Sequence, residues 1–422
     1  MDLNAKDPEV SEVQVGFRSY WTLFVLLLVA IYNFIDRQII YILIEPIRVD
    51  LKMSDTQVGL LTGLSFAVVY GLAGLWVARL ADRHPRHLII AASILVWSAA
   101  TALGGLATSY WQLVLSRLGV AAGESGSTPA GHSLIATLFP PEKRAFNIAI
   151  LGLGAPFGVL IGYVGGGWLA SHVHWREALI WAGVPGLFLS ILVATTIKDP
   201  LRSKIGNSEP RNGGMLLLLK LSIFRHMMAA AGIFAASAYA LSAFQPSFLI
   251  RLHGFTTQEA GLALGLVHGI GGGVGALLGG FLADYMGGKD ARWRQWVPAI
   301  GALVSVPLTI AALMVDNGYV AAMLMAGSIM AGLLYVAPTF GLAQSIAPVW
   351  ARATASALLL LSVSMFGQSV GPLLTGVLSD MFRPAYGDEG LRLALFVVPV
   401  LQLWSAVHFW IAGNKIPDTK LD

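Results

Sequence analysis

Asn33-Phe34-Ile35-Asp36-Arg37 decides how the chain is read. The five residues lie inside an apolar run that extends from Tyr20 almost to Glu45. At ~1.5 Å rise per residue, Tyr20 to Tyr41 spans a hydrocarbon core of ~30 Å as one helix. An acid and a base therefore sit near mid-membrane, where each charge costs at least ~2.5–3.5 kcal/mol. Opposite charges recur in a later apolar run, at Arg117 and Glu124. Seven residues is two helical turns, so these two share a helix face about 10 Å apart along the axis. Asp36, Arg37, Arg117 and Glu124 sum to zero, and we read them as one buried cluster.

Composition agrees. The 422 residues are 56% hydrophobic and 12% charged, with 47 glycines, against roughly 25% charged in soluble domains. The net charge of +4 is spread over particular loops and does not suggest nucleic acid. With no cysteine, disulfides, thiolate metal sites and cysteine nucleophiles are excluded. The polar, mixed-charge first 19 residues do not read as a cleavable signal. No Gly-x-x-x-x-Gly-Lys-Ser/Thr loop or His-Glu-x-x-His occurs, which argues against an ATP-driven pump and a zinc enzyme, and Gly123-Glu124-Ser125-Gly126 falls one spacing short of the Gly-x-Ser-x-Gly of serine hydrolases and is read as a kink. We expect no enzyme activity, no cofactor and no metal.

Apolar windows predict twelve spans, at 20–44, 56–79, 88–107, 110–138, 145–170, 178–197, 223–250, 257–285, 295–315, 319–346, 351–380 and 390–412. The fourth is interrupted at Glu124-Ser125-Gly126-Ser127-Thr128-Pro129. The expected fold is an all-α membrane protein, with two pseudo-symmetric six-helix bundles around a central cavity. The bundles are 20–197 and 223–412, between an N-terminal segment 1–19, a linker 198–222 and a tail 413–422. A short interfacial helix is expected over Leu216 to Phe224. Lys and Arg number 19 on the side of the termini and 6 on the other, which predicts both termini in the cytoplasm. The absence of an Asn-x-Ser/Thr sequon leans toward a bacterial cytoplasmic membrane.

The halves repeat. Leu80-Ala81-Asp82 after span two returns as Leu282-Ala283-Asp284 after span eight, 202 residues on. Gly154-Ala155-Pro156-Phe157-Gly158 in span five is echoed by Gly367 to Pro372 in span eleven. Such repeats put a substrate path between the halves. Glycines four apart mark close helix contacts: Gly154, Gly158, Gly162 and Gly166 in span five, Gly261 to Gly273 in span eight, and Gly59, Gly63 and Gly71 in span two. We expect spans two, five, eight and eleven to form the seam on which the halves rock.

At these residues the chain resembles the major facilitator superfamily. The loop Asp82-Arg83-His84-Pro85-Arg86-His87, its copy at Asp284 and the Gly154-to-Gly166 run with Pro156 resemble that family's signature loop and fifth-helix motif. Ala78 and Pro85 replace its usual glycines, and Tyr285 stands where a base is common. The stretch Asn33 to Arg37 with Arg117 and Glu124 is similar to the Spinster-like transporters, which the family associates with lysophospholipids and sphingosine 1-phosphate. The resemblance implies that Asp82 holds the cytoplasmic side shut, with Arg144 or the start of span eleven near Arg352. The expected cytoplasmic gate is therefore Asp82, Arg83, Arg86, Arg144, Asp284 and Arg352, against the plainer reading of Arg86 as a topology marker.

The cluster suggests proton coupling. An acid that loses its arginine in one conformation can take a proton there and release it in the other, with Asp36 the first candidate and Glu124 the second. Asn33, Arg37, Arg117, Tyr41 and His268 are the expected substrate contacts. The arginine fork suits phosphate as well as carboxylate. Of the second half's polar candidates His268, Gln344 and Gln368, none is charged like the cluster, which suits an amphiphile. The plainer reading is a static neutral cluster that locks span one to span four. The expected activity is secondary transport of an anionic lipid-like substrate with protons, by a monomer. Alternatives are a carrier for a small organic anion or drug, and a non-transporting lipid-binding or scrambling protein.

Overall fold

The computed structural model describes residues 15–81, 84–199 and 213–416, and every regular element in them is helical. Among the described residues, eleven segments are long and apolar enough to cross a bilayer, from Phe17–Asp50 to Glu389–Asn414. The one span missing from that set is the fourth. It is built from Tyr110–Glu124 and Ser127–Leu138, each too short alone, joined through Ser125 and Gly126. Twelve spans result. Their outer surface is apolar: Trp76, Trp111, Phe146, Leu277 and Phe281 are each more than 60% exposed, as lipid-facing side chains are. The chain is an integral membrane protein.

The 202-residue repeat has a local cause at the helix starts. Ser54 and Gln57 form a capping box at the head of span two. Thr256 and Glu259 form the same box at the head of span eight. Each hydroxyl accepts the N–H three residues on, while the third side chain accepts the cap's own N–H. In the linker, residues 200–212 lie outside the described residues. Beyond them Gly214–Lys220 is helical, with Met215 and Leu216 exposed and Leu218 buried.

The glycine rows sort into two roles, one of which differs from the expected seam. Span eight meets span five through Gly261, Gly265 and Gly269. A Cβ at Gly265 would lie 2.7 Å from Val164, and one at Gly269 would lie 2.8 Å from Leu160. Span two meets span eleven, and a Cβ at Gly63 would lie 2.6 Å from the Gln368 carbonyl. The row Gly154 to Gly166, however, faces span one in the same half: Cβ atoms at Gly162 and Gly166 would lie 2.8 Å from Gln38 and 2.7 Å from Ile42. Residues about two positions along a helix point to nearly opposite sides. Span five therefore uses its glycines toward span one, and Pro156, Leu160, Val164 and Gly167 toward span eight.

All four seam helices depart from α geometry part-way along. Spans two, eight and eleven contain π-turns at Leu60–Leu64, Leu266–Gly271 and Ser362–Gly367. Span five breaks at Leu153, between Pro141–Gly152 and Gly154–His172.

At the end of the bundle away from Phe17 and Asn414, a polar knot ties the halves. Arg251 of span seven donates to Asp55 at 2.8 and 2.9 Å and to Glu45 at 2.8 Å. Arg48 also bonds Glu45, at 2.7 Å, and Ser379 donates to Asp55 at 2.6 Å. Asp380 of span eleven accepts the backbone N–H groups of Asp55 and Thr56 at 3.0 and 2.8 Å. An N-terminal turn leaves such donors free, and here the opposite half supplies the acceptor. Among the described residues, the ion pairs that cross between halves are those of Arg251, all at this end.

Candidate functional site

The four intramembrane charges come together in the first half as two ion pairs. Neighbouring residues on a helix point about 100° apart, so Asp36 and Arg37 address different partners. Arg117 Nη1 donates to Asp36 Oδ2 at 3.3 Å, and Thr101 of span three donates to Asp36 Oδ1. Arg37 Nε donates to Glu124 Oε2 at 2.6 Å. Between the pairs lies the ring of Phe66, itself buried, with the guanidinium carbons of Arg37 and Arg117 at 5.2 and 5.3 Å from its centroid. Tyr70 adds a third surface at 5.0 Å from Arg37. A ring face attracts a desolvated cation by up to about 2 kcal/mol, so span two contributes to holding ions that belong to spans one and four.

Exposure separates the members. The side chains of Asp36 and Glu124 are 1% and 0% exposed, that of Arg117 is 7%, and that of Arg37 is 20%. Arg37 is the most exposed of the four. Among the described residues, both Asp36 oxygens have donors, whereas Glu124 Oε1 and Arg117 Nε have no partner. Asn33, one turn away, is buried with its Nδ2 unpartnered. It lines a cavity of about 220 Å³ between spans one, four and five, with Ser127, Thr128 and His132. Tyr41 is buried in the apolar core shared with Tyr163 and Phe244.

His268 of span eight lies in a π-turn, stacks on Tyr163 at 5.4 Å, and has its Nε2 2.6 Å from the Gln245 carboxamide oxygen. Gln368 is buried on span eleven where it meets span two, while Gln344 is exposed and bonds Ser356.

The expected gate residues are dispersed. Asp82 and Arg83 lie outside the described residues. Arg86 is buried, bonding Asp199 at 2.5 Å and Ser133 and Thr137 of span four at 2.9 and 2.8 Å. Burial works against the charge of Asp199, but the hydrogen bonds and charge of Arg86 outweigh it and hold this carboxyl below the usual carboxylate range. Arg144 donates to the Phe139 carbonyl at 2.9 Å, in its own half. Asp284 is exposed beside a cavity of about 300 Å³ that Arg294 also lines, and Arg352 is exposed at the start of span eleven.

Several participants carry no signal in the sequence. Thr101, Phe66 and Tyr70 are ordinary residues of an apolar helix until folding brings them to a charge. Glu45, Asp55 and Arg251 sit at span ends, where charges are common. A bidentate pair between them follows only from how the halves dock.

Comparison with known proteins bears on the fold and the family. The chain is 35% identical over 401 residues to an MFS-type efflux pump of Mycolicibacterium smegmatis, covering 94% of this chain and 93% of the relative. It is 29% identical over 232 residues to a sphingosine-1-phosphate transporter of Danio rerio, covering 52% of this chain and 45% of that protein. Among solved structures, a bacterial homologue of the human lysosomal transporter Spinster, described as inward-facing and unoccupied, superposes with a TM-score of 0.86 at 28% identity. That match covers 94% of this chain and 98% of the other. The family model for the Major Facilitator Superfamily matches residues 26–372, and the chain belongs to that superfamily of transporters.

Proposed function

We propose that the protein is a proton-coupled secondary transporter that moves an amphiphilic anion by alternating access. The observation that carries this reading is Arg37, whose side chain is the most exposed of the four ions and bonds Glu124. An anionic head group competes with Glu124 for that planar fork. A buried carboxylate stripped of its guanidinium is most cheaply neutralised by a proton. Glu124 is then the acid that exchanges the proton, through its unpartnered Oε1. Asp36, with both oxygens bonded, holds Arg117 in place. Asn33 and His268, each on a cavity wall, complete the substrate contacts, whereas Arg117, bonded to Asp36, and Tyr41, in the apolar core, are buried. The likeness to a sphingosine-1-phosphate transporter supports a lipid-like anion.

Loop charge supports both termini on the cytoplasmic side, and the bacterial relatives support a bacterial inner membrane. The Arg251 knot then closes the outer side, and the similarity to an inward-facing structure supports this state. Asp82, Arg83, Arg144, Asp284 and Arg352 form the cytoplasmic gate in the alternate state, while Arg86 anchors the start of the linker through Asp199. The likeness to an efflux pump supports a second reading, export of small organic anions or drugs through the same site.

Uptake of a fluorescent lysophospholipid into proteoliposomes under an imposed pH gradient tests the proposal. Glu124→Gln is expected to abolish the gradient's effect while the protein remains folded in detergent. Asp36→Asn is expected to lower uptake with and without the gradient. Gradient dependence that survives in both variants overturns the coupling. Absence of uptake by the wild type under any gradient favours a non-transporting lipid-binding protein.

A further inference from the structure

A second cavity, of about 200 Å³, belongs mainly to the other half. Spans seven, eight, ten and twelve wall it, with Gln38 of span one and Val159 of span five closing one side. No Asp, Glu, Lys or Arg lines it, yet Gln38, Ser242, His268, Ser328 and Gln402 do. Part of this polarity is satisfied internally. Thr309, Ser328 and Gln402 bond one another at 2.7 and 3.1 Å, as polar side chains joining membrane helices commonly do.

The rest is not used up by the fold. Gln38 makes no hydrogen bond among the described residues, leaving a donor and an acceptor on the cavity wall. With the Gln245 carboxamide oxygen accepting from His268 Nε2–H, the imidazole Nδ1 remains an acceptor. Ser242 donates to the Ala238 carbonyl at 3.0 Å, and its oxygen can still accept. A wall that both donates and accepts matches a hydroxyl or an amide, which do both. It opposes a formal charge, which would be buried here without a counter-ion. Phe234, Leu241 and Ile329 supply apolar surface for the attached carbons.

The position links this cavity to the ion cluster. Gln38 follows Arg37 in the chain. On span seven, Ala238 and Ser242 line the cavity, and Tyr239 between them lies within electrostatic reach of Arg37. We propose that the cavity is a subsite for an uncharged hydroxyl- or amide-bearing segment of the substrate, directly adjoining the anionic group held at Arg37. It rests on the transport reading above and narrows it: the substrate carries a neutral hydrogen-bonding segment between its anion and its hydrocarbon. Gln38 and His268 are its specificity determinants.

Two ligands with the same kind of anion and the same chain length test this, 1-palmitoyl lysophosphatidic acid and hexadecyl phosphate. The second lacks the hydroxyl and the ester. Binding to the purified full chain in nanodiscs is measured for each. The wild type is expected to prefer the lysophosphatidic acid by ~10-fold, the worth of one to two net hydrogen bonds. Gln38→Leu and His268→Phe, checked for folding by their melting curves, are each expected to shrink that preference to about twofold or less. Equal affinity of the wild type for the two ligands, or a preference that persists in both variants, overturns the subsite and leaves the anion site at Arg37 standing. Failure of the wild type to bind either ligand overturns both readings.

Discussion

Phe66 receives two guanidinium groups on one ring. With Arg117 committed to Asp36 and Arg37 to Glu124, each charge is neutralised locally. The double arrangement makes single deletions costly. Removing one partner of a buried pair costs ~3–5 kcal/mol, because the survivor stays buried and unpaired, while removing both often costs little. Arg117→Leu is therefore expected to lower the melting temperature markedly, and Asp36→Leu with Arg117→Leu to recover most of the loss. An additive double variant, read by fluorescence-monitored melting, would mean the pair is not coupled. The four ions were legible from sequence because charge inside an apolar run has no other explanation. Their setting was not: that Asp36–Arg117 is sealed while Arg37 keeps partial exposure depends on Thr101 and Phe66, which come from other spans. Asn33 and His268 could be named as polar residues at membrane depth. What each faces, a cavity and Gln245 respectively, depends on neighbours from other helices.

Helix contacts at the seam are made backbone to backbone. A Cβ at Gly376 would collide with the Asp55 carbonyl and come within 3.0 Å of Thr56 Cα. One at Gly273 would make an ordinary contact with Pro156 at 3.5 Å. Gly376→Ala should thus force spans two and eleven apart and lower stability in melting measurements, while Gly273→Ala should be tolerated. The spacing of the glycines was visible in the sequence, but the face they serve was not. Gly154 to Gly166 read as seam residues and pack on span one, because period-four spacing identifies a stripe without saying which neighbour covers it.

The linker contact makes a pH prediction. Asp199 has its carboxyl held below the usual range, so Arg86–Asp199 stabilises the fold at and above the ordinary Asp value of ~3.9. That contribution is lost as pH falls through the depressed folded value. The melting-temperature difference between wild type and Asp199→Asn should be constant from neutral pH down to about 4 and shrink only below it. A difference that disappears between pH 6 and 5 would contradict this assignment.

For the whole molecule, twelve spans and two repeated halves could be read from apolar runs and from the 202-residue echo. How the halves dock could not. Asp380 is an unremarkable acid in sequence, yet its carboxylate completes the head of span two from the opposite bundle. With Arg251 it ties the halves together at this end by a few side chains. Arg251→Gln is expected to release that closure. Spin labels at Thr108→Cys and Asp388→Cys, exposed at this end in different halves, would then move apart, and the cysteine-free chain needs no background substitutions. An unchanged distance distribution would assign the closure to the glycine contacts instead.

The π-turns carry a mechanical consequence. A π-turn holds one residue more than the α-helix around it, and so behaves as a dislocation in an otherwise regular lattice. When such a defect migrates, the residues it passes swing by about 100° and advance by about 1.5 Å, while the helix beyond stays in register. In span eight the defect runs from Leu266 to Gly271 and contains His268. The aim of that imidazole is therefore tied to where the surplus residue rests, and sliding it by a turn redirects the ring without unpacking either end of the helix.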